Sequence, residues 1–563
     1  MQLLNSKKKV FLIASFINII TLILCLWVND WKYESCDDYF MHSVLTGAYG
    51  GKYDVHLYFV NAFYAYFLKP FYIILPNIGW YSIFEAIAVL SSFVSVSYLL
   101  IHKWGSKIGA ILSLLLLSCV SLDFYLHIEF TKCSAATMAA GILFFAFGNK
   151  ERNLRYLVLG SIFMMAGFIF RKEMFLLGLP PLFILLLYWL LQKRALWKGT
   201  LFAIAALVLA VFCLKTFDSS LYKANDYEYY AAYQKPRAFF GDGNFFDAKA
   251  FSDELDERGI GSRNYRYLRA WYFFDNNVFS LDSMENLISI AERNAYKPNY
   301  LKMPFAIMRA MSESLYKTRT WCWILLCFAI ILFSNRAFWW VPWASIALVS
   351  LPYAYLLLVN RVMDHVESGI WLYAVIFVLF FVGKEISLET KLSRRFILAI
   401  NIVCIAGLIS TSTFFALDNM NRRGHARKRT SPDWSEFLQY TKKRPNDVFL
   451  LPFERYMQLA EYTGLIYESV KPHSLDNLYS TGYWNIHLPP MNHELEKRGV
   501  TNIFRDITKD NVYVISDKYS LSFAPFYAEH YHKKLETDTI NSFGGIFLLK
   551  YRLKETNDEE PSN

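Results

Sequence analysis

The chain has 563 residues, 55% of them hydrophobic and 18% aromatic, with a mean hydropathy of +0.23. Soluble globular domains average about 45–50% apolar, so the composition argues for a protein embedded in a membrane. The net charge of +10 does not indicate nucleic acid, because the lysines and arginines gather at the ends of apolar runs, where topology accounts for them.

Lys7, Lys8 and Lys9 precede the first run, residues 10–28, which lacks a small-residue cleavage site and reads as a retained helix with a cytoplasmic N-terminus. Runs at 81–101 and 108–124 flank Lys103 and Lys107, and runs at 135–147 and 157–170 flank Lys150, Arg152 and Arg155. The next pair, 175–191 and 201–217, flanks Lys193, Arg194 and Lys198. After a long polar segment come 321–333, 341–359, 370–382 and 396–416, with Lys384, Lys391, Arg394 and Arg395 before the last. A bilayer core of about 30 Å accommodates such runs. The pattern predicts a polytopic α-helical membrane protein of the cell membrane with about 11 transmembrane helices, its C-terminus extracytoplasmic. Residues 56–76, "HLYFVNAFYAYFLKPFYIILP", carry Lys69 and Pro70 and many aromatics. Counted as a span they would put the Lys103 loop outside, so they read as helix lying along the outer surface.

Three outer regions follow: a first loop at 29–79 within a membrane module at 1–217, a large loop at 218–318, and a tail at 417–563 beyond the transmembrane helices at 319–416. Strand-like "DVFLLP", "NVYVIS" and "GGIFLLKY" alternate in the tail with helical stretches at 434–441 and 526–534, predicting a small α/β domain. The closing "KETNDEEPSN" has the composition of disorder. Seven of the eight cysteines lie in or beside apolar runs, so no disulfide scaffold is implied. No phosphate-cradling loop, zinc signature or nucleophile elbow is visible.

Chemistry concentrates in "ESCDDYFMHSVLTGAYG", where Asp37 and Asp38 follow the first span. A solvated helix cap is the ordinary fate of such a pair. Here it opens a segment that also holds His42, Asp54 and His56, and "FIFRKEMF" sets Arg171, Lys172 and Glu173 at the outer end of the fifth span. Charges at that depth need partners, and Glu173 is the simplest one. Arg361, in "LVNRVMDHVE", ends the ninth span as either a phosphate contact or a headgroup anchor.

In order and placement these parts resemble the GT-C superfamily of membrane glycosyltransferases, which includes protein O-mannosyltransferases and lipid A aminoarabinose transferases. "DDYF" in the first outer loop, a surface helix, a span starting "GWYSIFEA", the basic turn and "LGLPPLFILLLYWLL" carry the likeness over roughly residues 10–217. "GFIFRKEMF" and "HIEFTKCSAATMAAGILF" are also similar to multi-span proteins of Gram-positive bacteria, a likeness that names no substrate.

The resemblance implies a GT-C-like fold and transfer of a sugar from a polyprenyl-phosphate donor to a glycan or lipid-linked acceptor on the outer face, usually with inversion. Asp37 would be the general base, with Asp38 orienting it or touching the sugar or a metal. Arg171, Lys172 and Arg361 would bind the donor phosphate, and His42, Asp54 and His56 would bind substrate. The carboxylates and histidines could hold a divalent ion such as Mg or Mn, and members of the superfamily differ in using one, so the metal stays open. Arg237, Arg258, Arg263, Arg266 and Arg269 in the second loop keep a polysaccharide polymerase or ligase in view. A transporter would show internal symmetry and charges at span centres, and the charges here cluster at span ends.

Overall fold

In the computed structural model the described residues are 2–28, 31–192, 196–224, 226–242, 246–295, 300–385, 402–403, 406–407, 409, 434–463, 466–516 and 520–554. Among these, seven helices are long and apolar enough to cross a membrane, and an eighth span forms if the pair Met303–Tyr316 and Thr318–Leu332, bent by 103°, is counted as one. The predicted run at 396–416 lies almost wholly outside the described residues.

Helix α1 (Gln2–Val28) leads through a short strand, β1 (Lys32–Tyr33), to α2 (Cys36–Leu45) and α3 (Ala62–Ile74). At about 1.5 Å per residue, the 13 residues of α3 reach about 20 Å, short of a bilayer core. Its Phe63, Tyr66, Ile73 and Ile74 are exposed while Tyr64, Leu68 and Tyr72 are buried, as a surface-lying helix requires.

Helix α4 (Trp80–Ser121) is two helices folded back on one another. Gly105 takes φ +80°, and a Cβ on Gly109 would lie 2.3 Å from the Ile101 Cα. Eight residues of straight helix would separate those positions by about 12 Å. The predicted runs at 81–101 and 108–124 are therefore two antiparallel limbs.

Strand β2 (His127–Ile128) pairs in parallel with β1 and delivers α5 (Phe130–Glu151), the buried axis of the bundle. Helix α6 (Leu154–Phe170) packs on α5 through glycine: a Cβ on Gly141 would meet the Gly160 carbonyl at 2.9 Å. Such close backbone approach is how membrane helices gain contact without a hydrophobic driving force. Then follow α7 (Lys172–Leu177), α8 (Leu179–Leu191) and α9 (Lys198–Leu221). Helices α10 (Tyr227–Gly241), α11 (Ala248–Glu257), α12 (Arg263–Arg269) and α13 (Leu281–Arg293) build the large loop. Helices α14 (Met303–Glu313), α15 (Thr318–Phe333), α16 (Trp340–Leu358) and α17 (Asp364–Glu385) return to the bundle.

The C-terminal region holds a five-stranded sheet in the order β4-β3-β5-β7-β6. Strand β3 (Val448–Leu451) is parallel to β4 (Leu478–Ser480) and β5 (Val512–Ser516), and β7 (Ile546–Leu553) is antiparallel to β5 and to β6 (Leu535–Phe543). Helices Trp434–Lys442 and Phe523–Tyr531 flank it. Strands and helices thus alternate through the described part of this region.

Helix α5 separates two ends of the bundle by about 33 Å. At its last turn Glu151 pairs with Lys103, and Asn149 accepts from Thr200 at 2.8 Å, which gathers the predicted basic turns together. At its first turn the first loop, the large loop and the C-terminal region meet. The Ala48 carbonyl accepts from the Leu475 amide at 2.9 Å, the Tyr467 carbonyl from the Gly79 amide at 3.0 Å, and the Thr481 carbonyl from the Phe273 amide at 2.9 Å.

Candidate active site

The β1–β2 pair sets the entry to α2, and the Glu34 amide adds a bond to the Ile128 carbonyl at 3.0 Å. Lys132, buried in α5, holds the Glu34 carboxylate and that of Asp123 together. Arg319 of α15 then ties Asp123 (3.1 Å) to Glu367 (3.0 Å) of α17. This buried ion network anchors the loop to both halves of the bundle, and breaking one such pair strands a charge in low dielectric.

Asp37 and Asp38 occupy the first turn of α2, where the helix dipole favours negative charge, and they face different surroundings. Asp37 is half-buried and accepts a hydrogen bond from the Tyr483 phenol of the C-terminal domain. Burial raises its pKa, the Tyr483 bond opposes the rise, Glu129 and Asp242 add to it, and the Arg171 charge opposes it. Asp38 is fully buried, accepts from the Tyr81 hydroxyl at 2.9 Å and lies against the Glu85 carboxyl of α4. Burial and the charges of Glu85 and Glu129 hold its pKa well above the carboxylate range.

Arg171 stands between α6 and α7 in extended backbone. Its guanidinium lies over the rings of Phe59 (5.0 Å) and Phe130 (5.1 Å) and pairs with Glu173 at 2.9 Å. Lys172, mostly exposed, reaches the other Glu173 oxygen at 3.5 Å. Beyond Arg171 opens a cavity of about 270 Å³. Five cations line it: Arg171, Lys172, Lys215, Arg237 and Arg361. Glu173, Asp218 and Asp242 are its acids, and Arg361 pairs with Asp242 at 3.3 Å. The predicted basic residues thus share one cavity.

Asp37 is not among the lining residues. It connects to the cavity through the dipeptide Tyr483-Trp484. Tyr483 holds Asp37, and the Trp484 ring lies 5.8 Å from that of Phe59, a cavity wall.

The predicted substrate contacts divide. Asp54 accepts from the His56 ring at 2.6 Å and from the Tyr227 hydroxyl, while the His56 ring stacks on Tyr227 at 3.5 Å. Both stay near the cavity, since the His56 ring lies 5.1 Å from that of Tyr222, whose hydroxyl accepts from the amide of the lining residue Tyr58 at 2.8 Å. His42 does not face it. Fully buried, it places its two ring nitrogens on the hydroxyls of Tyr33 (3.2 Å) and Tyr72 (2.8 Å), and burial lowers its pKa to about 3. With both nitrogens engaged, His42 packs the loop and has no atom left for a substrate or a metal. Among the described residues no group of three or more His, Cys, Asp or Glu side chains is arranged to hold a metal ion.

Several site residues were not singled out from the sequence. Glu129 caps α5, accepting from the Lys132 amide at 3.0 Å and the Thr131 hydroxyl at 2.7 Å. Burial raises its pKa against these bonds and the Arg171 charge. Its visible signal is a charge beside an apolar run, and Lys215 shows a charge inside the last turn of the seventh run. Tyr483 carries no local signal. Of the loop arginines only Arg237 lines the cavity. Arg258 pairs with Glu254 at 2.7 Å, Arg263 with Glu529 at 3.4 Å, and Arg269 donates to the Phe240 carbonyl at 3.0 Å.

No family model and no curated protein matches the chain. Two solved structures are similar in fold over nearly its whole length. ArnT from Cupriavidus metallidurans in the apo state shares 12% identity, covering 94% of this chain and 96% of its own, with a TM-score of 0.41. The same protein bound to undecaprenyl phosphate shares 11%, covering 96% and 97%, with a TM-score of 0.40. At this level the likeness assigns no role to any residue.

Proposed function

We propose that the protein is a membrane glycosyltransferase of the GT-C type. It would move a sugar from a polyprenyl-phosphate carrier to a cell-envelope acceptor on the outer face, with inversion at the anomeric carbon. One observation carries the reading: Arg171 lines a cavity with four other cations, and Asp37 is joined to a wall of that cavity through Tyr483 and the Trp484 ring, 5.8 Å from that of Phe59.

The residues divide the chemistry. Asp37, held by Tyr483, takes the proton of the acceptor hydroxyl as that oxygen attacks the anomeric carbon. The bond to the lipid phosphate breaks on the opposite side, and Arg171, with Lys172 and Arg361 around the cavity, stabilises the negative charge that develops there. Arg171 suits the task because its planar fork binds two phosphate oxygens and its stacking on Phe59 and Phe130 fixes its plane. Buried aromatic walls exclude water, which strengthens each of these interactions and protects the glycosyl group from hydrolysis. A phosphate on a lipid carrier needs no soluble nucleotide fold, since the apolar helices receive its tail.

The test is transfer from a purified polyprenyl-phosphate sugar by the full chain in lipid nanodiscs. Wild type should glycosylate an envelope-glycan acceptor, and Asp37→Asn should not, although it still binds the carrier. Undiminished transfer by Asp37→Asn would sink the mechanism.

A further inference from the structure

Three buried side chains beside the cation-lined cavity have hydrogen-bonding groups without a partner among the described residues: the Trp484 indole nitrogen, the Tyr230 hydroxyl and the Gln234 amide nitrogen. All are at most 1% exposed. Tyr230, Gln234 and Arg237 fall at i, i+4 and i+7 on α10 and so share one helix face. Arg237 lines the cavity and donates to the Gln234 carbonyl oxygen at 2.8 Å. Tyr58, another lining residue, has its ring 6.3 Å from that of Tyr230 and, nearly parallel, 6.5 Å from that of Trp484. Arg237 thus lines one corner of the cavity, with Gln234 bonded behind it and Tyr230 and Trp484 packed behind Tyr58, and Trp484 is the neighbour of the residue that holds Asp37.

Buried donors without acceptors are costly unless a ligand supplies the acceptor. This corner is rich in donors: an indole N–H, an amide NH₂, a phenol and a guanidinium. The nearest carboxylate to Arg237, on Asp242, is 3.9 Å away, beyond hydrogen-bond distance. Five cations against three acids line the cavity, so it favours an anion, and the lining rings of Tyr58 and Phe59 offer a flat platform for a sugar face. We propose that Trp484, Tyr230, Gln234 and Arg237 form a glycosyl subsite that accepts a sugar bearing a carboxylate, a uronic acid. Arg237 and Gln234 take the carboxylate oxygens and Trp484 takes a ring or hydroxyl oxygen. The proposal rests on the transferase reading for the lipid phosphate and stands apart from it for the sugar.

The test measures binding to the full chain in nanodiscs of five probes: free glucuronic acid, free glucose, their farnesyl phosphate esters, and farnesyl phosphate alone. Wild type should bind the glucuronyl ester at least tenfold more tightly than the glucosyl ester. Trp484→Phe, which keeps a six-membered aromatic ring and loses the N–H with the pyrrole ring, and Gln234→Leu should each weaken the glucuronyl ester by about tenfold, the worth of one lost hydrogen bond. Both should bind farnesyl phosphate as wild type does, which verifies that they fold. Equal wild-type affinity for acidic and neutral sugars, no binding of either glucuronyl form, or unaltered glucuronyl binding in both variants overturns the subsite. Failure of farnesyl phosphate to bind while free glucuronic acid is still preferred overturns the lipid-carrier reading alone and leaves the subsite standing.

Discussion

The phenol of Tyr483 donates a hydrogen bond to the carboxylate of Asp37 across 446 residues of sequence, so the C-terminal domain completes the surroundings of a side chain that follows the first membrane helix. The bond favours the charged form of Asp37 against the burial that disfavours it. Tyr483→Phe removes the bond and leaves the ring. Asp37 should then hold its proton to higher pH. The acidic limb of the kcat/KM profile should move upward in pH, while activity well above that limb recovers toward wild type. An unmoved limb would mean that Asp37 does not control it.

The two aspartates should separate kinetically. Asp37→Asn is expected to lower kcat by about 10²–10⁴-fold, the usual worth of general-base participation. Asp38→Asn should cost under about tenfold, because the Asn can still accept from Tyr81 and is neutral beside Glu85, the form that burial and Glu85 already favour for Asp38. Initial rates of transfer for the two variants provide the comparison, and equal losses would place both carboxylates in the reaction.

Arg171→Ala should weaken use of the phosphate donor by about 1.5–3 kcal/mol, the worth of a hydrogen bond to a charged group. Arg171→Lys should restore only part of that, since the ammonium neither forks nor stacks in the same way over Phe59 and Phe130. Donor titrations of kcat/KM give the answer. Donor kinetics unchanged in the alanine variant would reduce Arg171 to a partner of Glu173.

Two buried histidines should make stability sensitive to acid. Burial lowers both His42 and His487 to about pH 3, whereas the unfolded chain titrates near the ordinary value of 6.5. Below 6.5 the unfolded state binds more protons than the folded state, so stability falls with falling pH down to about 3. From pH 7 to 5 each histidine should cost about 2 kcal/mol. Thermal unfolding across that interval should show the decline, and His42→Gln should reduce it by one histidine's share, about 2 kcal/mol. A slope unchanged in that variant would assign the decline to other groups.

Topology offers an independent check. If α3 lies along the surface, reporters fused after Pro76 and after Lys554 should both report the extracytoplasmic side. A cytoplasmic signal at Pro76 would make residues 56–76 a span and move the first loop away from the cavity.

Much of the fold was legible because it depends on local physics. Runs of apolar residues and the lysines and arginines at their ends located α1, both limbs of α4, α5, α6, α8, α9, α15, α16 and α17, and short apolar runs located β3, β5 and β7. Strand β6, "LETDTINSF", was not read as a strand because it is a mostly exposed edge, where polar residues are favoured and no hydrophobic alternation is required. The basic residues Arg171, Lys172 and Arg361 were found at helix ends and do share one cavity, since charge at membrane depth is confined to sites with partners. What the sequence could not decide is which neighbour each polar side chain meets. Asp37 and Asp38 are adjacent and chemically identical, yet successive helix positions point about 100° apart. One therefore faces Tyr483 and the site and the other faces Glu85 in the bundle. His42 looked like a site residue by proximity, but the packing of α2 under Tyr33 and Tyr72 turned it into core. Tyr483, Trp484 and Arg237 reach the site only because the 218–318 loop and the C-terminal domain close over the first loop. Those long-range contacts are set by tertiary burial and leave no trace in local pattern.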